Sequence, residues 1–227
     1  KYDPEYLNNG TFYYKHLKEW HGTLPKSLHD AILCFFIANT VRDLRGDIEK
    51  PRSMLVNMSR FVKVQKYIKD YVVKEKNNFL AKIKYDFNDD NNHNKSQPLY
   101  NELEVLWKKH FSNVKDISFE RVVNKDNLIS AVDPIEIMVV NGGKSSGKLD
   151  YKLNKGLRAI AVGGLALSRG LTLEGLLVSY FYRNTSTFDV LMQMGRWFGY
   201  RPHYSDLFQI WISRLSADWY EEVAKAS

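Results

Sequence analysis

Two arginines, Arg196 and Arg201, lie five positions apart in the run Gln193-Met194-Gly195-Arg196-Trp197-Phe198-Gly199-Tyr200-Arg201. A guanidinium stays charged at any ordinary pH and offers a planar fork of donors. Held rigidly, it suits the charge that develops on a phosphoryl group in transfer. Upstream, Val162-Gly163-Gly164-Leu165-Ala166-Leu167-Ser168-Arg169-Gly170-Leu171-Thr172-Leu173-Glu174-Gly175 sets glycines among Ser168, Arg169 and Thr172. The glycines let the backbone come close to a ligand, and the side chains between them can donate to phosphate oxygens. A surface helix with solvated arginines is the plainer alternative. It leaves the Ser-Arg-Gly loop and the apolar runs beside it without a reason.

Those runs position the arginines. Residues 158–162, 177–182 and 207–212 are apolar, so the region reads as strand, glycine-rich loop, strand, helix, strand. Thr187 caps the helix and Asp189 falls in its first turn, where the dipole favours an anion. At 100° per residue, Val190, Leu191, Met194, Trp197 and Phe198 share one side, and Asp189, Gln193, Arg196 and Tyr200 the other. Gly199 and Pro202 mark the stop, which puts Arg201 just past the end.

Earlier in the chain, Leu28, Ala31, Ile32 and Phe35 follow helical spacing over 25–44. Ser27 and Asp30 are expected to form the N-terminal box of that helix. Residues 53–57 read as a strand. A helix is expected over 60–76, with Phe61, Val64, Ile68, Tyr71 and Val72 inside and Lys63, Lys66, Lys69 and Lys74 outside. The stretch 86–98 is an Asn/Asp-rich break. Residues 77–85 and 99–131 look helical, and 135–140 is the next strand. The run Gly142-Gly143-Lys144-Ser145-Ser146-Gly147-Lys148 fits G-x-x-x-x-G-K, but Leu149 replaces the hydroxyl that holds Mg²⁺ in a P-loop and no apolar helix follows. It reads as a decoy. The expected architecture is α/β, a mostly parallel sheet flanked by helices. Its parts are an arm over 1–24, an α/β domain over 25–61 and 134–227, and a helical insertion over 62–133.

The pair of motifs resembles motifs V and VI of superfamily-two helicases, in their second RecA-like domain. More closely, it resembles the Z-one domain, an endonuclease-labelled family found with such ATPases in bacterial restriction and defence systems. Two departures stand out. Motif VI usually places its glutamine three residues before the glycine and its second arginine three after the first, whereas here Gln193 precedes Gly195 by two and Arg201 follows Arg196 by five. Motif V usually has Asp where Thr172 stands.

The resemblance implies the helicase C-terminal half, a RecA-like motor domain closing on ATP. The Walker-bearing partner domain would hold that ATP and its Mg²⁺. Arg196 or Arg201 would serve as arginine finger and Gln193 would orient neighbouring groups. Gly164, Ser168, Arg169, Gly170 and Thr172 would line the nucleotide cleft. Ser59 and Arg60, at the motif IV position, and the neighbouring Lys63 would touch nucleic-acid phosphates. DNA is the expected polymer, with a nuclease or methyltransferase as further partners and the cytoplasm as the location. The alternatives are a DNA endonuclease domain, for which Glu174 and Asp189 are isolated candidates, and a non-catalytic DNA-binding module.

Bulk properties agree. The 227 residues are 44% hydrophobic, enough for a full core. No run of about 18 apolar residues suggests a membrane span. The only cysteine, Cys34, lies in an apolar helical run and suits a core position in a reducing compartment. The six histidines lack ligand spacing, so no metal site is expected. Net charge is +7, and the excess is local: residues 42–84 hold 12 Lys/Arg against 5 Asp/Glu, residues 156–227 hold 7 against 6. A localised basic excess favours a polyanionic partner. The opening Lys1, in place of Met, points to a piece of a longer protein.

Overall fold

A computed structural model describes residues 23–59, 61–88, 94–140, 155–163, 173–182, 204–212 and 218. Five parallel strands form one sheet: β1 (Arg52–Asn57), β2 (Glu136–Val140), β3 (Arg158–Gly163), β4 (Leu176–Phe181) and β5 (Gln209–Trp211). Their order is β2-β3-β1-β4-β5. The register is set by pairs such as Met54–Ile160 and Met54–Val178, which put β1 in the centre. Every residue of β1, β3 and β4 is buried. Strands covered on both faces read as continuous apolar runs, which is why all three were visible without alternation.

Among the described residues five helices flank the sheet: α1 (Lys26–Leu44), α2 (Val62–Asp86), α3 (Pro98–His110), α4 (Phe119–Val122) and α5 (Lys125–Val132). One continuous core joins α1–α5 to Met54, Val56, Ile160, Val162, Val178 and Tyr180 of the sheet. A smaller core, including Leu55, Val140, Ala161, Leu176 and Phe181, lies on the other face. Residues 62–133, expected as an insertion, are thus continuous with the main core, and α2 packs directly on β2 and β3.

The helix α1 runs between the sheet and the outer helices, in contact with β4, α3, α4 and α5. Ala31 to Arg42 are buried without interruption, Cys34 among them. Such a helix is apolar all round because no side of it meets water. The expected capping box does not form. Pro25 occupies the cap position with no side-chain hydrogen bond, Ser27 Oγ bonds Tyr180 Oη at 2.8 Å, and Asp30 pairs with Lys26. A tertiary partner has taken the serine.

The helix α2 joins the helix expected over 60–76 to the helical stretch over 77–85 in one element. Phe79 and Ile83 extend the buried face begun by Val64, Ile68 and Val72, and Asn77-Asn78 sits on the exposed side, where it breaks nothing. Lys125 Nζ donates to the Lys84 and Phe87 carbonyls and so supplies a cation where the helix dipole is negative. Lys76 Nζ donates to the Asp133 and Ile135 carbonyls, tying α2 to the entry of β2.

The amino ends of the strands carry a buried ion cluster. Asp43 at the end of α1 receives Arg52 at 2.6 Å and Arg158 at 2.8 Å, and so ties α1 to the first residues of β1 and β3. Arg52 is 0% exposed, and burial pushes its guanidinium down to about 10; it remains charged at neutral pH. Beside this cluster, Gly175 enters β4 at φ +64°, and a Cβ there would lie 1.8 Å from the Pro51 carbonyl oxygen. Only glycine fits so close to a neighbouring backbone.

Candidate functional site

In a parallel sheet, ligands bind outside the carboxyl ends of the strands, where the order of connection reverses. Here the chain leaving β1 passes β3 to reach β2, whereas the chain leaving β3 passes β1 to reach β4. The reversal lies between the carboxyl ends of β1 and β3. Asn57 ends β1 and Gly163 ends β3.

The exit of β1 is tightly held. Tyr182 N–H donates to the Asn57 carbonyl at 3.0 Å. Ser59 is 2% exposed; its Oγ accepts from Phe61 N–H at 3.1 Å and its carbonyl accepts from Gln65 Nε2 at 2.8 Å. Ser59 therefore shapes the turn into α2, a task that sequence reasoning did not assign to it. The helix then starts with no side-chain cap and no acidic residue in its first turn. The positive end of its dipole lies beside the exposed Lys63, an arrangement that favours anions. Arg60 lies outside the described residues.

The remaining sequence-derived site residues also lie outside the described residues: Gly164, Ser168, Arg169, Gly170 and Thr172 after β3, and Gln193, Arg196 and Arg201 between β4 and β5. The decoy run 142–148, Glu174's fellow candidate Asp189 and the arm over 1–22 are outside them too. Glu174 itself is exposed at the entry of β4, and its carbonyl accepts from Ser53 Oγ at 2.8 Å. That is the amino end of the sheet, away from the strand exits.

Two polar groups near the exit of β1 escaped sequence reasoning. Asn57 is 5% exposed, yet its Oδ1 has no hydrogen-bond partner; Gln65 Oε1, in the early part of α2, is likewise unpartnered. Leaving a buried acceptor unsatisfied costs about 1–3 kcal/mol, a cost usually relieved by water or ligand. An Asn closing an apolar run resembles an ordinary turn residue, which is why it gave no signal.

A second polar cluster lies between α1, α2 and α3. His29 bonds Glu75 through Nδ1 at 2.5 Å and faces Glu102 through Nε2 at 3.2 Å. Its pKa is raised, first by the hydrogen bond to Glu102 and then by Glu75, and that of Glu102 is lowered by the same bond. With both ring nitrogens engaged, His29 has none to offer a substrate. It lines a cavity of about 290 Å³ floored by Ile32, Phe36, Phe79 and Leu99, and its role is to clamp three helices together. Among the described residues no group of His, Cys, Asp or Glu could hold a metal, and no helix is long and apolar enough to cross a membrane.

Neither a curated protein nor a solved structure matches the chain. The family model of the Z1 domain matches residues 27–227, from the second residue of α1 through the whole sheet and both arginine-bearing motifs. The chain belongs to the Z1 domain family.

Proposed function

We propose that the chain is the C-terminal motor half of a nucleic-acid-dependent ATPase of a restriction or defence system, working in the cytoplasm. Its RecA-like sheet would close on a Walker-bearing domain of the same protein. Arg196 or Arg201 would reach the γ-phosphate, and Gln193 would hold neighbouring groups in line. Gly164, Ser168, Arg169, Gly170 and Thr172 would face the nucleotide, whose Mg²⁺ belongs to the partner domain. Arg60 and Lys63, on the turn that Ser59 shapes, would grip polynucleotide phosphates, with DNA the expected polymer. Closure and opening would then shift one grip relative to the other.

The observation that carries this reading is the strand order. The segments bearing these residues leave the carboxyl ends of β1, β3 and β4, three adjacent strands of one parallel sheet. Segments leaving neighbouring strand ends can converge on one ligand. The amino ends carry instead an ion cluster that serves stability.

The test is ATP turnover by the full protein after Arg196→Ala and Arg201→Ala. Loss of an arginine finger costs about 10³–10⁵ in turnover, so at least one variant should lose that much while still binding nucleic acid. Normal turnover in both overturns the motor reading. It would leave a polyanion-binding module, which the exposed lysines of α2 support on their own.

A further inference from the structure

The outer face of α2 is an exposed basic surface. Successive residues advance about 100°, so Lys63, Lys66, Asp70, Lys74, Asn77, Ala81, Lys84 and Tyr85 fall within one arc of roughly 100°. All eight are exposed. Val64, Ile68, Val72, Phe79 and Ile83 are buried on the opposite side. The only acidic group on the exposed arc is Asp70.

Four lysines off this arc are engaged. Lys26 pairs with Asp30 and Glu102, and Lys108 with Glu104. Lys76 and Lys125 donate to backbone carbonyls. Lys66 and Lys74 make no ion pair among the described residues, and Lys84 has only the ring of Tyr85, 5.7 Å away. Tyr85 is 78% exposed, so most of its ring is open to a further partner.

We propose that this face is a single-strand nucleic-acid track, with Lys66, Lys74 and Lys84 on phosphates about two nucleotides apart along one strand and Tyr85 stacking on a base. The inference deepens the nucleic-acid part of the proposed function and rests on it. An acidic protein surface would satisfy the lysines and leave the ring unused. A duplex keeps its base faces stacked and out of reach of Tyr85. A single strand offers both phosphates and open π-faces. From Lys66 to Lys84 the helix rises about 27 Å, a length suited to short single-strand sites of roughly 4–16 nucleotides. The track starts beside the exit of β1, so a strand lying on it leads to the candidate site.

The experiment is fluorescence anisotropy of a labelled 20-nucleotide single strand and its duplex, titrated with the chain over a salt series. The variants are Lys66→Gln/Lys74→Gln/Lys84→Gln, Tyr85→Ala, and a control, Lys108→Gln/Lys109→Gln, on α3. For single strands the slope of log affinity against log salt is about −0.7 per phosphate contact, so the triple variant should flatten it by about 2. Tyr85→Ala should weaken single-strand binding roughly tenfold with the slope unchanged and spare the duplex. Wild-type slopes in the triple variant, equal losses in the α3 control, or a Tyr85→Ala loss shared by the duplex would overturn the track. If the wild-type chain binds neither probe, the nucleic-acid part of the proposed function fails with it. If it binds through Lys63 and Arg60 alone, only the track fails.

Discussion

His29, one of six histidines without ligand spacing, holds together an ion cluster between three helices. Its pKa is raised in the fold by Glu102 and Glu75, so it contributes stability that is fully present below its unfolded value near 6.5 and is lost as pH rises through the folded value. Glu102 has the opposite dependence: its pKa is lowered, so its contribution holds above the ordinary carboxylate range and fades in acid. The cluster is therefore strongest in mildly acidic to neutral solution. Thermal unfolding followed from pH 5.5 to 9 should show a fall in Tm on the alkaline side. His29→Gln should remove most of that slope and lower stability at pH 6 by about 1–2 kcal/mol, since hydrogen bonds to charged groups contribute about 1.5–3 kcal/mol and the cluster is partly open to water. An unchanged pH profile in His29→Gln would show that the clamp carries no linkage. Nothing in spacing announced this cluster, because its three members come from helices 46 and 73 residues apart in sequence, joined only by the packing of α1, α2 and α3.

At the scale of elements, the two edges of the sheet divide the work. Asp43 serves two arginines, one of them wholly buried. Asp43→Ala would leave both without their shared carboxylate, and breaking a buried pair of this kind costs about 3–5 kcal/mol. Denaturant melts should show that loss. Nucleic-acid affinity of the folded fraction should stay within about twofold, because the cluster sits at the amino ends of the strands, away from the proposed site. A matched fall in affinity would deny the division between edges. Much at this scale was legible beforehand. Strands β1, β3 and β4 are buried throughout and carry apolar middles, so the runs located them within a residue or two, and α1 followed its i, i+3, i+4 spacing. The cap of α1 was misread because Ser27 finds Tyr180, 153 residues away, before it finds its own backbone. The helical stretches expected over 60–76 and 77–85 form one helix, α2, which ends where the Asn/Asp-rich break begins. The candidate site was half legible. Ser59 and Lys63 were singled out, but Asn57 hid as a turn residue, and the edge on which Lys63 sits depends on strand order, which no local pattern encodes.

At the scale of the whole molecule, the parallel sheet depends on distant pairings. Both neighbours of β1 come from after residue 157, and only β2–β3 and β4–β5 join consecutive strands. Folding rate falls as contacts become less local, so refolding from denaturant should take milliseconds to seconds rather than microseconds, as stopped-flow tryptophan fluorescence would report. A chain cut after residue 150 keeps α1 to α5 but loses β3, β4 and β5. It should retain helical far-ultraviolet dichroism, bind a hydrophobic dye and fail to melt cooperatively. A sharp unfolding transition in that fragment would mean that the helical layer folds without its sheet.

The central position of β1 also bears on how the protein is made. Its last residue, Asn57, leaves the ribosome about 100 residues ahead of Arg158, the first residue of either strand that will flank it. At ordinary translation speeds of about 5–20 residues per second, this strand, with its apolar Met54-Leu55-Val56 centre, waits roughly 5–20 s with both hydrogen-bonding edges open. During that interval only the nascent helices can shield one face of it. The longer wait falls on the segment most prone to pair with other chains, so synthesis rate and chaperone supply, more than equilibrium stability, should set the yield of soluble protein.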